Sequence, residues 1–157
     1  MQFERFKLVD RIAQIDTGER TIRCEGIVPM ESPIFEGHFP GHPLMPGVLL
    51  LESMAQTSGW MILGLQGFRQ MPFLAAAREA KFRSFVGPGS KLIMTAKIVH
   101  EGSGFALTQA QGELDGKVIC DATITFRVVN FPKPEFKQEM LKFARELNFP
   151  MDLVAND

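Results

Sequence analysis

The chain has 157 residues, 45% of them hydrophobic and 22% charged, and its formal net charge at pH 7 is −1. This is the length of one domain, and a chain of this size can bury a full hydrophobic core. The near-neutral charge gives no general attraction to nucleic acid or to a membrane surface, so neither is an expected partner.

The cysteines and the N-terminus indicate a cytoplasmic protein. Cys24 and Cys120 lie far apart and form no CxxC pair, so we interpret them as buried reduced thiols, which suit a reducing compartment. The N-terminus lacks a cationic segment followed by an apolar one, and no signal peptide is predicted. The most apolar stretch, 46–65, is interrupted by Glu52 and other polar residues. It is therefore predicted to be a buried helix rather than a membrane span.

The first part of the chain is predicted to hold a hairpin, a loop and a long helix. Rough alternation of apolar and polar residues predicts strands at 6–15 and 21–28. Four prolines and two glycines in 30–46 predict a stiff loop without regular helix or strand. Pro46 is suited to begin the apolar helix that follows, and glycines 64 and 67 indicate where it ends.

The second part is predicted to be an antiparallel meander followed by a helix. Strands are expected at 73–85, 91–100, 105–114 and 117–129, the last two joined by the hairpin pair Asp115-Gly116. Beyond them, residues 135–147 place five apolar residues on one side of a predicted amphipathic helix: Phe136, Met140, Phe143, Ala144 and Leu147. A sheet wrapped around one long helix buries both, so the predicted class is α+β.

Two groups suited to acid–base chemistry stand close together in the sequence. His38 lies in the proline-rich loop, and Glu52 follows in the second turn of the apolar helix. A carboxylate in an apolar helix is costly unless it is paired or neutral, and such a pair can move protons near pH 7. The two side chains need not meet within one chain, so a site shared between two copies stays open as a possibility.

The helix start supplies a candidate oxyanion donor. The first backbone N–H groups of a helix have no internal acceptor, and the helix dipole adds partial positive charge there. Gly47, which has no side chain to obstruct a close approach, occupies this position. Its N–H could stabilise an enolate-like oxygen on a thioester.

Three segments resemble one known family. They are Gly37-His38-Phe39-Pro40-Gly41-His42-Pro43-Leu44-Met45-Pro46-Gly47 with its continuation to Gln56, the later run Ala80-Lys81-Phe82-Arg83-Ser84-Phe85-Val86-Gly87-Pro88-Gly89-Ser90, and Leu8-Val9-Asp10-Arg11. They are similar to the signatures of the β-hydroxyacyl-[acyl carrier protein] dehydratases of type II fatty acid synthesis. The resemblance covers roughly residues 6–129.

The resemblance implies a fold and an assembly. The fold would be the hot-dog fold, with the dehydratase domain at 1–130 and a C-terminal helical extension at 131–157. The family works as a homodimer or as a trimer of dimers, with active sites shared between subunits. Its substrate is carried on the phosphopantetheine arm of acyl carrier protein, and no separate cofactor or metal is implied.

The resemblance also implies roles for site residues. His38 would abstract the Cα proton, and Glu52 of the partner subunit would help the β-hydroxyl leave as water. The Gly47 N–H would hold the thioester carbonyl, the Leu44 carbonyl would orient the His38 ring, and Gln56 would position the Glu52 carboxylate. Glutamate rather than aspartate at position 52 goes with the plain dehydratases and argues against double-bond isomerisation.

Other features are open to more than one interpretation. Four cations, Arg78, Lys81, Arg83 and Lys91, are either a solvated face or a docking patch for an acidic carrier protein. The chain has no tyrosine, so the family's tyrosine gate is absent, and Phe82 or Phe85 is a candidate replacement. Whether the pathway is general fatty acid synthesis or a dedicated one such as lipid A acyl supply stays open.

Two rival functions share the expected fold. A hot-dog thioesterase would hydrolyse the thioester, and the histidine in the proline-rich loop argues against it. A non-catalytic acyl-carrier-binding module would not need both His38 and Glu52. Metal binding by His38 and His42 is disfavoured because no third ligand accompanies them.

Overall fold

The computed structural model describes residues 1–156 and shows one long helix, α2 (Gly47–Gln66), packed against a six-stranded antiparallel sheet. The strands are β1 (Arg11–Asp16), β2 (Thr21–Ile27), β3 (Met71–Phe82), β4 (Lys91–Gly102), β5 (Phe105–Leu114) and β6 (Lys117–Val129). Their order across the sheet is β1-β2-β4-β5-β6-β3. This architecture confirms the predicted hot-dog fold.

The central helix is enclosed because it is apolar on nearly every side. Pro46 is its N-cap residue, and it ends at Gly67, whose φ of 58° is left-handed and whose N–H donates to Gly64 and Leu63 carbonyls. By length and composition α2 could cross a membrane, but 72% of its most apolar 18-residue stretch is buried inside the fold. It is therefore a core helix, as predicted.

Tight turns fix the strand boundaries. Asp115 and Gly116, with φ values of 52° and 80°, join β5 to β6. Positive φ at both central residues is what the favoured two-residue hairpin turn requires. Both strands have the predicted bounds, whereas β3 was predicted at 73–85 and lies two to three residues earlier.

Two predictions for the N-terminal third were wrong in part. The first strand begins at Arg11 rather than at residue 6. The Phe6 carbonyl and the Leu8 N–H bond to the Gln56 side chain of α2, and Lys7 pairs with Gln2. The proline-rich segment contains a short helix, α1 (Pro33–Gly37). Proline is tolerated in the first turn of a helix, and the Ser32 hydroxyl caps this one by accepting from the Ile34 N–H at 3.2 Å.

The C-terminal segment packs against the end of α2. The predicted tail helix is present as α3 (Pro134–Glu146), and a 3₁₀ turn follows at Met151–Leu153. The Phe149 ring lies 5.2 Å from that of Phe68 between centroids. The strand β6 ends at Val129, and Asp157, the last residue of the predicted extension 131–157, lies outside the described residues.

Candidate active site

His38 sits where α1 ends, and its ring is held in one orientation. Its backbone N–H donates to the Ile34 carbonyl at 3.0 Å, and the ring stacks on Phe39 with centroids 4.2 Å apart. Nδ1 lies 3.1 Å from the Leu44 carbonyl oxygen. Because a carbonyl only accepts, Nδ1 carries the proton in this bond, which leaves the Nε2 lone pair available as a base.

Gly47 begins α2 beside an aromatic ring. A Cβ built at this position would lie 3.7 Å from the Phe82 ring. Of the two candidate gate residues, Phe82 lies beside the start of α2, whereas Phe85 is 81% exposed. The Gly47 N–H is the first of the helix and has no intrahelical acceptor. Because glycine has no side chain, residue 47 does not obstruct a polarised oxygen that approaches this N–H.

Glu52 lies one turn before Gln56 on the same face of α2. The Gln56 Nε2 donates to Glu52 Oε1 at 3.1 Å and also to the Phe6 carbonyl at 2.8 Å. The Gln56 Oε1 accepts from the Leu8 N–H at 3.2 Å. One amide therefore ties the Glu52 carboxylate to the N-terminal segment and restricts its orientation.

Sequence reasoning missed a second tie between the N-terminal segment and α2. The Ser53 hydroxyl, fully buried, donates to the Leu8 carbonyl at 2.9 Å. With Gln56, it satisfies both backbone groups of Leu8. A polar pair one turn apart on an otherwise apolar helix, at 53 and 56, was the signal that could have indicated this contact.

An apolar groove of about 360 Å³ opens along one side of α2. Glu52, Ala55, Gly59 and Leu63 line its floor, and its walls come from the N-terminal segment 5–9, the start of β3, Phe126 and one face of α3. His38 is not among the lining residues. Within one chain, His38 and Glu52 therefore do not line the same groove.

The four candidate docking cations do not form one cluster. Arg78 and Lys81 lie on β3, with Arg83 just beyond its end, and all three are exposed. Lys91 lies on β4, which β5 and β6 separate from β3, and its Nζ is 3.8 Å from Glu25. Arg83 forms an ion pair with Asp121. Lys81 and Arg83 flank Phe82, beside the start of α2.

A metal site, a second depression and the two remaining histidines are further candidates for a chemical role beside His38 and Glu52. Within residues 1–156 there is no group of three or more His, Cys, Asp or Glu side chains placed to hold a metal ion. A polar depression of about 670 Å³ lies on the sheet, but neither His38 nor Glu52 lines it. His42 and His100 are both exposed.

The two cysteines are buried and unreactive by environment. Both are free thiols with no exposed surface. Burial in the apolar core raises the pKa of Cys24 to about 12 and that of Cys120 to about 11, because a thiolate there would lose its hydration. Neither thiol is a candidate nucleophile.

Sequence comparisons point to one family. Residues 2–123 match the model of the FabA-like domain. The chain is 39% identical over 124 residues to the 3-hydroxyacyl-[acyl-carrier-protein] dehydratase FabZ of Streptococcus mutans, covering 78% of this chain and 87% of that protein. It is also 39% identical over 122 residues to the corresponding protein of Streptococcus sanguinis, covering 77% and 86%.

Solved structures share the fold at low sequence identity. One is a hypothetical thioesterase from Streptococcus pneumoniae with coenzyme A, at a TM-score of 0.60 and 14% identity, covering 78% of this chain and 88% of that one. Another is a Streptococcus mutans protein bound to acetyl-CoA, at a TM-score of 0.61 and 14% identity, covering 78% and 90%. These likenesses show the fold alone, whereas the family match and the 39% identity show that the chain belongs to the FabA-like family of hot-dog proteins.

Proposed function

We propose that this chain is a hydro-lyase that removes water from a (3R)-hydroxyacyl chain carried on acyl carrier protein, giving the trans-2-enoyl thioester. The observation that carries the proposal is the orientation of His38, whose Nδ1–H is committed to the Leu44 carbonyl and whose Nε2 is left free. Membership of the FabA-like family and the curated names of its FabZ relatives support the same reaction.

The proposed elimination uses two proton-transfer groups and one oxyanion donor. His38 Nε2 takes the Cα proton, and that electron pair forms the double bond between Cα and Cβ. The Cβ–O bond breaks as Glu52 of the partner subunit, in its carboxylic acid form, donates a proton to the leaving hydroxyl. The Gly47 N–H stabilises the charge that develops on the thioester oxygen. The residues and the substrate supply every proton, so no cofactor is needed beyond the phosphopantetheine arm that carries the acyl chain.

Two chains build each site in this proposal. The Glu52 groove lacks His38, so a second copy must supply the histidine. The strand β3 supports such a pairing because it is an edge strand, and ten of its twelve residues are exposed. Its Phe73 is 60% exposed, and an unpaired apolar edge of this kind is a ready site for strand pairing. Pairing of β3 with its symmetry mate would give a closed twofold dimer, which is the unit of either expected assembly.

Measuring the mass of the assembly in solution tests this pairing. We expect wild-type protein to elute as a dimer or as a trimer of dimers in size-exclusion chromatography with light scattering. A Phe73→Asp substitution should shift it toward monomer, since a charged side chain would replace an apolar one at the strand edge that pairs. Phe105, an exposed phenylalanine on β5, provides the matched control as Phe105→Asp. A monomeric wild-type protein with full activity would contradict the shared site.

The acyl carrier protein is the proposed partner, and Lys81 with Arg83 is the favoured part of its docking surface. These two cations flank Phe82, whose ring contacts the Gly47 position. A carrier bound there would deliver its arm beside the oxyanion donor. Arg78 and Lys91 stay predicted docking residues, but Lys91 is remote from the other three. We also propose a cytoplasmic location, which the two free, buried thiols support.

A direct assay tests the reaction type. Purified protein is incubated with a β-hydroxyacyl carrier-protein thioester, and enoyl thioester and free thiol are measured separately. Enoyl product with the thioester intact supports the dehydratase, while release of free thiol would support a thioesterase instead. His38→Ala and Glu52→Gln should each lower kcat by about 10²- to 10⁴-fold. His42→Ala and Glu36→Gln, which alter exposed residues of the same region, should retain activity. Unchanged turnover by His38→Ala would refute the site.

A further inference from the structure

The C-terminal helix α3 presents two apolar faces rather than one. Leu141 and Ala144 are buried against the fold and anchor the helix. A second stripe at i, i+4, i+7 and i+11 lines the groove that contains Glu52: Phe136, Met140, Phe143 and Leu147. A helix that only docked would need the first face alone. The half-exposed phenylalanines of the second face line a cavity that no side chain of residues 1–156 fills.

The segment that follows α3 covers the end of α2 that is remote from Glu52. Phe149 packs on Trp60 with ring centroids 6.1 Å apart, and the Ala155 N–H donates to the Gly67 carbonyl at 2.9 Å. The groove floor runs from Glu52 to Leu63, about 16 Å along the helix at 1.5 Å per residue. An aliphatic chain that starts at Glu52 and follows the floor therefore passes the α3 residues that line the same groove.

The helix also joins the two walls of the groove. On one side the Lys7 Nζ lies 5.5 Å from the Phe143 ring centroid and 3.9 Å from Glu146. On the other side the Phe136 ring centroid lies 6.2 Å from that of Phe131. Phe131 follows the end of β6, the strand that pairs with β3. The helix α3 thus spans the groove from one wall to the other.

The helix α3 lies outside the part of the chain that defines the family. The family match ends at residue 123, and α3 begins at Pro134. The site residues His38, Gly47 and Glu52 lie inside the match. The reacting groups therefore belong to the shared domain, whereas the α3 residues that line the groove come from a segment beyond the match.

We propose that α3 spans the acyl groove and limits acyl chain length, with Phe136 and Phe143 as the specificity-determining residues. The inference rests on the proposed function and assigns a further wall of the same site. Shortening either side chain should open room for a longer chain. Each methylene newly accommodated should improve kcat/KM for the longer substrate by about fourfold, which is the equilibrium value of burying one methylene.

The test is a ladder of β-hydroxyacyl carrier-protein substrates of increasing length. Wild-type protein is compared with Phe136→Ala, Phe143→Ala and the milder Phe143→Leu, which guards against loss of folding. Lys142→Ala, on the exposed side of α3, is the matched control. The two alanine variants should shift the preferred length upward, and Met140→Trp should shift it downward. Identical length profiles in all folded variants would overturn the proposal.

A binding measurement separates this inference from the proposed reaction. Saturated acyl-pantetheines of increasing length, which cannot be dehydrated, are titrated into the same variants by calorimetry. If affinity shifts with length as described, α3 sets the length even if the chain forms no enoyl product. If wild-type protein dehydrates the ladder but neither turnover nor affinity depends on Phe136 or Phe143, the groove assignment is wrong and the reaction stands.

Discussion

Replacing Gln56 with leucine should damage both stability and turnover, because one amide serves two purposes. The Gln56→Leu change removes the bond to Glu52 Oε1 at 3.1 Å, the bond to the Phe6 carbonyl at 2.8 Å and the bond from the Leu8 N–H at 3.2 Å. At about 1 kcal/mol net for each bond, the loss is about 3 kcal/mol of unfolding free energy. For a chain of this size that corresponds to a Tm lower by roughly 6–12 °C.

The effect on turnover has a separate origin. Without Gln56, the Glu52 carboxylate loses a hydrogen bond that fixes its orientation. Such a hydrogen bond contributes about 0.5–1.5 kcal/mol net, so kcat should fall roughly 2- to 10-fold. The rate is measured well below the Tm of the variant, so that unfolding does not contribute to the loss. The KM should change less than kcat, since the amide does not contact the proposed carrier-docking surface.

The same helix offers a matched control. The Gln66 Nε2 donates to Glu101 Oε1 at 3.1 Å, near the end of α2 that is remote from Glu52. Gln66→Leu should therefore lower the unfolding free energy by no more than about 1 kcal/mol and leave kcat unchanged. If Gln56→Leu and Gln66→Leu give the same Tm and the same kcat, the amide of Gln56 does not position Glu52.

Three further outcomes are expected. The Gly47→Ala variant should fold normally, since a Cβ there would lie 3.7 Å from the Phe82 ring, an ordinary contact distance. Its kcat should fall on the order of 100-fold, because the added methyl group displaces the thioester from the N–H of residue 47. Wild-type turnover by this variant would contradict the oxyanion assignment. Lys81→Glu should raise KM for a carrier-protein substrate and weaken its salt dependence, leaving KM for a pantetheine substrate unchanged, while Lys91→Glu has the smaller effect; equal effects on both substrates would exclude docking at Lys81. Above pH 9 the protein should lose stability, because burial raises the pKa of the Cys24 thiol from 9.0 to about 12, so that the thiol ionises only after unfolding. The contribution of Cys24 to the unfolding free energy is fully present below pH 9 and is smaller by about 1.4 kcal/mol at pH 10. Urea titrations of wild type and Cys24→Ala should show this difference, and parallel pH profiles of the two proteins would contradict it.

The elements that the sequence predicts well are those that local chemistry determines. Asp115-Gly116 specifies the hairpin turn, and both flanking strands have their predicted bounds. The long apolar run predicts α2, because a helix enclosed on all sides by the sheet removes its apolar side chains from water. The proline-rich segment was harder, since Pro33 is compatible with both a loop and a helix start, and only the Ser32 cap decides for α1.

The rest depends on contacts between distant segments. Residues 6–8 alternate as a strand does, yet Phe6 and Leu8 bond to Ser53 and Gln56 of α2, about fifty residues later in the chain. The apolar residues of the tail were predicted to share one side of a helix. In the fold Ala144 is buried with Leu141, while the remainder of the stripe faces the groove. Periodicity alone cannot distinguish a face that packs from a face that lines a cavity.

The sharing of each site between two chains is tested most directly by mixing two inactive variants. His38→Ala and Glu52→Gln subunits are co-expressed with different tags, and the assemblies that contain both are isolated. If the histidine of one subunit works with the glutamate of its partner, each mixed dimer regains one intact site, and enoyl formation returns. If both residues acted within one chain, the mixed assemblies would be as inactive as either parent, and the account would be wrong.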